Sequence, residues 1–162
     1  MRIVVISDTH IQDKEDVFSV KLVEEIKNAD MVVHAGDFVS IEILKKIKTL
    51  CANVRAVCGN MDSREIRDAL PPKEIFKAGR YRIGIMHGYG APSNLVEVLA
   101  SEFKGENLDI VIFGHSHAAF NEKIGGTLFF NPGSLTDKVF AAVNSYGIIE
   151  LNDKIEAKII AL

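Results

Sequence analysis

The sequence predicts an α/β domain, with βαβ units in its first half and mainly antiparallel strands in its second. Three observations carry that reading. Short β-branched apolar runs at residues 3–6, 31–35 and 54–58 alternate with stretches whose apolar residues recur at helical spacing, the pattern of a largely parallel sheet. Pro71-Pro72 then breaks the rhythm, and from Asp109 onward nearly every segment reads as strand.

Taken in order, Ile3 to Ile6 is a continuous apolar run, as expected of a strand buried on both faces. Between Asp16 and Asn28, Val17, Val20, Leu22, Val23 and Ile26 recur at roughly helical spacing, with Lys21, Glu24, Glu25 and Lys27 between them. Met31 to Ala35 forms a second buried strand. Ser40 then caps a helix whose apolar face is Ile41, Leu44, Ile47 and Leu50, with Ile43 nearby. The run at 54–58 is a third strand. Strands at 74–78 and 81–87 are joined by Gly79-Arg80 as a hairpin. A helix follows from Pro92 or Ser93 to Lys104, with a stripe of Leu95, Val98, Leu99 and Phe103. Strands are expected at 109–114, 118–124, 127–131, 145–151 and 154–160, with tight turns at Gly125-Gly126 and Asn152-Asp153. No repeat, linker or low-complexity segment divides the 162 residues, which read as one domain.

Composition narrows the function. Hydrophobic residues at 48% and charged ones at 25% are ordinary for a globular protein in water. A net charge of −3 carries no polybasic signature, so no nucleic-acid surface is expected. The start, MRIVVISDTH, has only a short apolar run interrupted by Asp8 and His10, and no signal peptide is expected from it. Nothing approaches the ~18 apolar residues of a membrane span. Cys51 and Cys58 form neither CxxC nor a disulfide framework. They read as reduced, mostly buried thiols of a cytoplasmic protein.

Polar, metal-ligating residues collect at the ends of five buried strands: Ser7-Asp8-Thr9-His10, Gly36-Asp37, Gly59-Asn60, His87-Gly88 and Gly114-His115-Ser116-His117. The crevice beyond the carboxyl ends of the strands is the usual ligand site of an α/β sheet, so all five can converge on one pocket. In extended chain, residues i and i+2 point the same way, so Asp8 with His10, and His115 with His117, can each aim two ligands at one centre. Each cluster also has a plain reading: Asp8 as a helix cap, Asp37 and Asn60 as turn residues, His87 as a core or turn histidine. Those plain readings would require five coincidences at strand ends. Two aspartates, one asparagine and four histidines exceed what one four-coordinate ion uses, whereas a carboxylate-bridged pair would use them. Such mixed donors suit Mn, Fe, Zn or Ni over Ca or Mg. His34, inside its strand, is instead read as a buried histidine bonded to neighbouring backbone.

With these residues assembled, the chain resembles the calcineurin-like metallophosphoesterases, most closely their small single-domain bacterial and archaeal phosphodiesterase branch. The motifs DxH, GD, GNxD, HG and GHxH stand here as Asp8-Thr9-His10, Gly36-Asp37, Gly59-Asn60-Met61-Asp62, His87-Gly88 and Gly114-His115-Ser116-His117. The NPGS of that branch stands as Asn131-Pro132-Gly133-Ser134. The resemblance implies a four-layer α/β/β/α sandwich with two mixed sheets. It implies two divalent transition-metal ions, Mn2+ foremost, with Ni2+, Zn2+, Fe2+ or Co2+ as substitutes. Asp8, His10, Asp37 and His117 would hold the first ion, and Asp37, Asn60, His87 and His115 the second, with Asn60 and His87 counted as catalytic. A bridging hydroxide would attack the phosphorus of a small-molecule phosphoester in line. Asp62 is a candidate to orient the histidines, or to stabilise its own turn. The branch includes dimers and larger assemblies.

One position departs from the wider family. Many of its phosphatases have His directly after the Asn, as general acid, and here Met61 stands there. Met61 can donate no proton, a loss that typically costs ~10²–10⁴-fold. Modest turnover with a preference for activated, acidic leaving groups is therefore expected. The branch often lacks that histidine too. The rival reading is a non-catalytic scaffold of the Vps29 type, a protein of this fold that serves as an interaction platform; the complete ligand set favours the enzyme, and metal content is expected to separate the two.

Overall fold

The computed structural model describes residues 1–10, 18–137 and 139–162. In the first sheet β1 (Arg2–Ile6), β2 (Met31–His34) and β3 (Val54–Ala56) run parallel, β1 beside β2 and β2 beside β3. β9 (Ser145–Leu151) adds antiparallel to the other side of β1, and β10 (Ile155–Ala161) pairs antiparallel with β9 at the edge. The second sheet contains β4 (Lys73–Ala78), β5 (Tyr81–Met86), β6 (Ile110–Ile112), β7 (Phe120–Ile124) and β8 (Thr127–Asn131) in the order β4-β5-β6-β8-β7.

Strand alternation explains why the sheets stack. Ile3 and Val5 of β1 face the second sheet, where they meet Ile83, Ile85, Ile110, Ile112 and Phe130. Val4 and Ile6 face the other way, onto Leu22 and Ile26 of α1 (Val20–Lys27) and Leu44 and Ile47 of α2 (Ile41–Leu50). On the far side of the second sheet, Val111 and Phe129 are covered by Leu95 and Leu99 of α4 (Leu95–Glu102) and by Phe103. These layers make the four-layer α/β/β/α sandwich. Both faces of the central strands are buried, at ~1.5–3 kcal/mol for each Ile, Val or Phe removed from water.

Most pairings of the second half are antiparallel, as expected: β4–β5, β7–β8, β9–β10 and β9 against β1. The exceptions lie at the centre of the second sheet, where β5 and β6 pair parallel, as do β6 and β8. For β5 and β6 the reason is α4, whose apolar stripe lies on the outer face, so the chain crosses that face before β6 begins beside β5; β8 runs parallel to β6 because β7 occupies the edge and turns back into it. α3 (Arg64–Ala69) was not anticipated: Ser63 caps it by accepting from the Ile66 N–H at 3.4 Å, but a six-residue helix is too short to show a period. The expected start of the first helix, at Asp16-Val17, lies outside the described residues. Ser19 caps α1 and Ser40 caps α2, each through its side-chain oxygen. Among the described residues no helix is long and apolar enough to cross a membrane.

Candidate metal centre

The five polar clusters all leave the carboxyl ends of β1, β2, β3, β5 and β6, and backbone hydrogen bonds lace their loops together. The Asp8 N–H donates to Gly36 O at 3.0 Å, the Thr9 and His10 N–H groups to Asp37 O, and the Gly114 N–H to His87 O at 3.1 Å. Asp8, His10, Asp37, His115 and His117 all have φ between +40° and +69°. Asp and His tolerate this left-handed region better than most residues, at a cost the surrounding contacts must offset. Two glycines are required by crowding. A Cβ on Gly59 would lie 2.2 Å from Asp37 Oδ1, and one on Gly114 would lie 2.0 Å from Ser7 Oγ and 2.7 Å from Asp8 Oδ2.

Two groups of ligating atoms converge: Asp8, His10 and His117 in one, Asp8, Asp37 and His87 in the other, each with all its atoms within 4.8 Å of one another. The Asp8 and Asp37 carboxylates are buried. His117 Nδ1 is hydrogen-bonded to the Asp137 carboxylate, which fixes its N–H there and turns Nε2 towards Asp8 Oδ1 at 3.3 Å and His10 Nε2 at 3.0 Å. His87 Nδ1 donates to Ala35 O at 2.8 Å, so its buried Nε2 faces Asp37 Oδ2 at 3.2 Å and Asp8 Oδ1 at 3.8 Å without a hydrogen-bond partner. Ring Nε2 atoms thus point at carboxylates. Such an arrangement closes only when the nitrogens carry protons or a cation lies between the donors, and imidazole with carboxylate suits a divalent transition metal.

The titration of these groups shows the same field. Burial pushes the Asp8 carboxyl up, but hydrogen bonds from His10 and His117 and the nearness of His87 hold it well below the usual carboxylate range. Asp37 is likewise held low against its burial, chiefly by His87. The His117 imidazole is pushed up to about 9, first by its contact with Asp8, then by Asp137, with burial opposing. His87 is raised because Asp37 and Asp8 overcome the effect of burial.

His115 belongs to neither group and turns instead to Asn60. His115 Nδ1 lies 3.0 Å from Asn60 Oδ1, and its Nε2 lies 2.9 Å from Gly90 O. The expectation that i and i+2 share a centre is met by Asp8 and His10, which fall in one group, but not by His115 and His117. At positive φ these segments are not extended, and His115 and His117 meet different partners. Asp62 is buried and accepts from the backbone N–H groups of Gly59, Asp37 and Val39 at 2.7, 3.1 and 2.8 Å, which fastens two loops to each other. His34 is fully buried, accepts from the Gly36 N–H and contacts Thr9 Oγ1, as expected of a core histidine. Met61 and Tyr89 are exposed.

Two supports escaped the sequence reading. Asp137 has no motif of its own; its place three residues after Ser134, which accepts its N–H at 3.0 Å, was the available signal. The NPGS segment was noted but not given a task. Asn131 Nδ2 donates to Gly114 O at 2.8 Å and Ser134 Oγ to Asp8 O at 2.7 Å, so it braces the loops carrying Asp8 and the His115–His117 pair.

Comparison with known proteins gives this geometry its context. Residues 1–154 match the family model of the calcineurin-like phosphoesterase superfamily domain. A probable metallophosphoesterase of Methanocaldococcus jannaschii is 36% identical over 165 residues, spanning 100% of this chain and 82% of that protein. A phosphodiesterase of the same organism is 27% identical, over 95% of both chains. The crystal structure of wild-type Vps29 from Entamoeba histolytica, complexed with Zn2+, superposes with a TM-score of 0.76 at 25% identity over 99% of both chains. Motifs, layered sheets and full-length similarity agree, and the chain belongs to the calcineurin-like phosphoesterase superfamily.

Proposed function

We propose that the protein is a metal-dependent phosphodiesterase acting on a small-molecule phosphoester with two divalent transition-metal ions, Mn2+ foremost. Asp8, His10, Asp37 and His117 would hold one ion, and Asp37, Asn60, His87 and His115 the other. The observation that carries this reading is the buried, unpartnered Nε2 of His87, 3.2 Å from Asp37 while its Nδ1 is committed to Ala35. A nitrogen so placed is costly unless it shares a proton with Asp37 or gives its lone pair to a cation. The phosphodiesterase of M. jannaschii supports the substrate class.

When bound, a metal pair lowers the pKa of a coordinated water and stabilises the charge of an in-line displacement at phosphorus. The chain's own residues set the conditions. Asp137 holds the His117 ring in one tautomer, and Ala35 O does the same for His87. Asn60 presents its carbonyl oxygen beside His115. Met61, 59% exposed at the cleft, offers no proton, so the leaving group must depart as a stable anion. The two free cysteines support a cytoplasmic setting.

The test is direct. Protein stripped of metal and reloaded with Mn2+ is expected to hydrolyse bis(p-nitrophenyl) phosphate; inertness with Mn2+, Ni2+, Co2+, Zn2+ and Mg2+ alike would sink the enzyme reading. The likeness to Vps29 keeps a second reading, a metal-binding interaction scaffold. Because a Vps29 itself has been crystallised with Zn2+, metal content does not separate the two. Hydrolysis does.

A further inference from the structure

The cleft over the candidate metal centre, about 670 Å³, has a lining of two unlike kinds. Imidazoles and carboxylates supply one, and Met61, Pro92 and Phe140 the other. Phe140 is 77% exposed and Met61 59%, a large apolar surface turned to water at the mouth of a polar site. The loop that carries Phe140 is nevertheless built. The N–H groups of Val139, Phe140 and Ala141 all donate to the Asp137 carboxylate, at 2.8, 3.0 and 3.0 Å, and the same carboxylate binds His117 Nδ1. One side chain therefore fixes both the histidine and the backbone that presents the aromatic ring, whose centroid lies 6.0 Å from that of His117.

The exposed ring of Phe140 and the side chain at position 61 together restrict what this cleft receives. Met61 supplies no proton, so the departing group must be acidic in its own right. A phenolic ester meets both conditions: it leaves as a stabilised anion, and it brings a flat apolar ring.

We propose that Phe140, in a cleft also lined by Met61 and Pro92, forms a subsite for an aromatic leaving group of the phosphodiester substrate. The proposal rests on the phosphodiesterase reading. Ring-on-ring contact of this kind is expected to change binding by roughly three- to tenfold.

The experiment uses Mn2+-loaded protein and two phosphodiester isosteres without a cleavable ester, diphenylphosphinate and dimethylphosphinate, titrated calorimetrically. The wild type is expected to bind the diphenyl compound more tightly, Phe140→Ala to lose that preference while binding dimethylphosphinate unchanged, and Phe140→Tyr to keep it. A kinetic arm compares methyl 4-chlorophenyl phosphate with methyl hexafluoroisopropyl phosphate, whose leaving groups are of similar acidity. Phe140→Ala should raise KM for the aryl ester alone and leave kcat on both unchanged. An absent preference in the wild type, or equal weakening of both phosphinates by Phe140→Ala, overturns the subsite and leaves Phe140 as a support for His117. If neither ester nor bis(p-nitrophenyl) phosphate is hydrolysed, the phosphodiesterase reading fails, and the phosphinate titrations still decide whether the subsite exists.

Discussion

His34 and His87 lie at or just beyond the ends of β2 and β5, in opposite sheets and nearly equal in burial, yet their imidazoles are pushed in opposite directions. Around His34 everything is satisfied: Nδ1 accepts from the Gly36 N–H at 3.1 Å, Nε2 meets Thr9 Oγ1 at 3.3 Å, and the ring stacks on Phe38. Burial pushes its imidazole down to about 3. Around His87 the same burial is overcome by Asp37 and Asp8, and the imidazole is raised. Depth alone therefore does not make a histidine a ligand. What differs is the company: a backbone donor and a hydroxyl in one place, two carboxylates in the other.

The sharpest test of this contrast is activity. His87→Ala should lower hydrolysis of an activated phosphodiester by more than the ~10²-fold typical of a partner outside the ligand set. Asp37→Ala should do the same, with circular dichroism unchanged in both. His34→Ala should stay within about tenfold of wild type in the fraction that remains folded. Equal losses at 34 and 87 would erase the distinction.

Stability should reverse the ranking. His34→Ala removes a stacked, doubly bonded core ring and is expected to cost about 3 kcal/mol in urea unfolding. A divalent metal at 100 times its Kd should stabilise the wild type by ~2.7 kcal/mol, and chelation should remove that gain. His34→Ala should keep the metal-dependent rise in Tm, and His87→Ala should lose it. A His87→Ala protein stabilised by metal as fully as wild type would contradict the assignment of its Nε2.

The smallest effect is in pH. The folded-state pKa of His34 lies below its ordinary 6.5, so the unfolded chain takes up the proton first. The stability it contributes is complete above about pH 6.5 and is lost as pH falls towards 3, by up to ~1.4 kcal/mol per unit. His34→Gln should flatten the fall in unfolding free energy between pH 6.5 and 5 relative to wild type; parallel curves would show that His34 is not held neutral.

Much of this molecule is legible in the order of its residues, because burial on both faces leaves its mark on each strand separately. The run Ile3 to Ile6 announces a central strand, Ser40 announces a helix, and the motifs from Asp8 to His117 mark strand ends, since each is a local pattern that tertiary contacts do not alter. The direction of β6 and β8 was not legible. Alternation gives a strand's faces and not its neighbour: the crossing of α4 makes β5 and β6 parallel, and the placing of β7 at the edge turns β8 back beside β6. The grouping of the donors was equally hidden. Asp8 lies between His87 on one side and His10 and His117 on the other, and His115 turns to Asn60 and Gly90, because left-handed backbone at these loops redirects side chains that an extended chain would have aligned. Asp137 is the last case. Its carboxylate reaches His117 from twenty residues away, a contact made by the fold and announced by no spacing. The sequence by itself determined that these polar, donor-bearing residues end strands; the tertiary structure alone decided which of them face one another, because facing depends on backbone dihedrals and sheet order that distant contacts set.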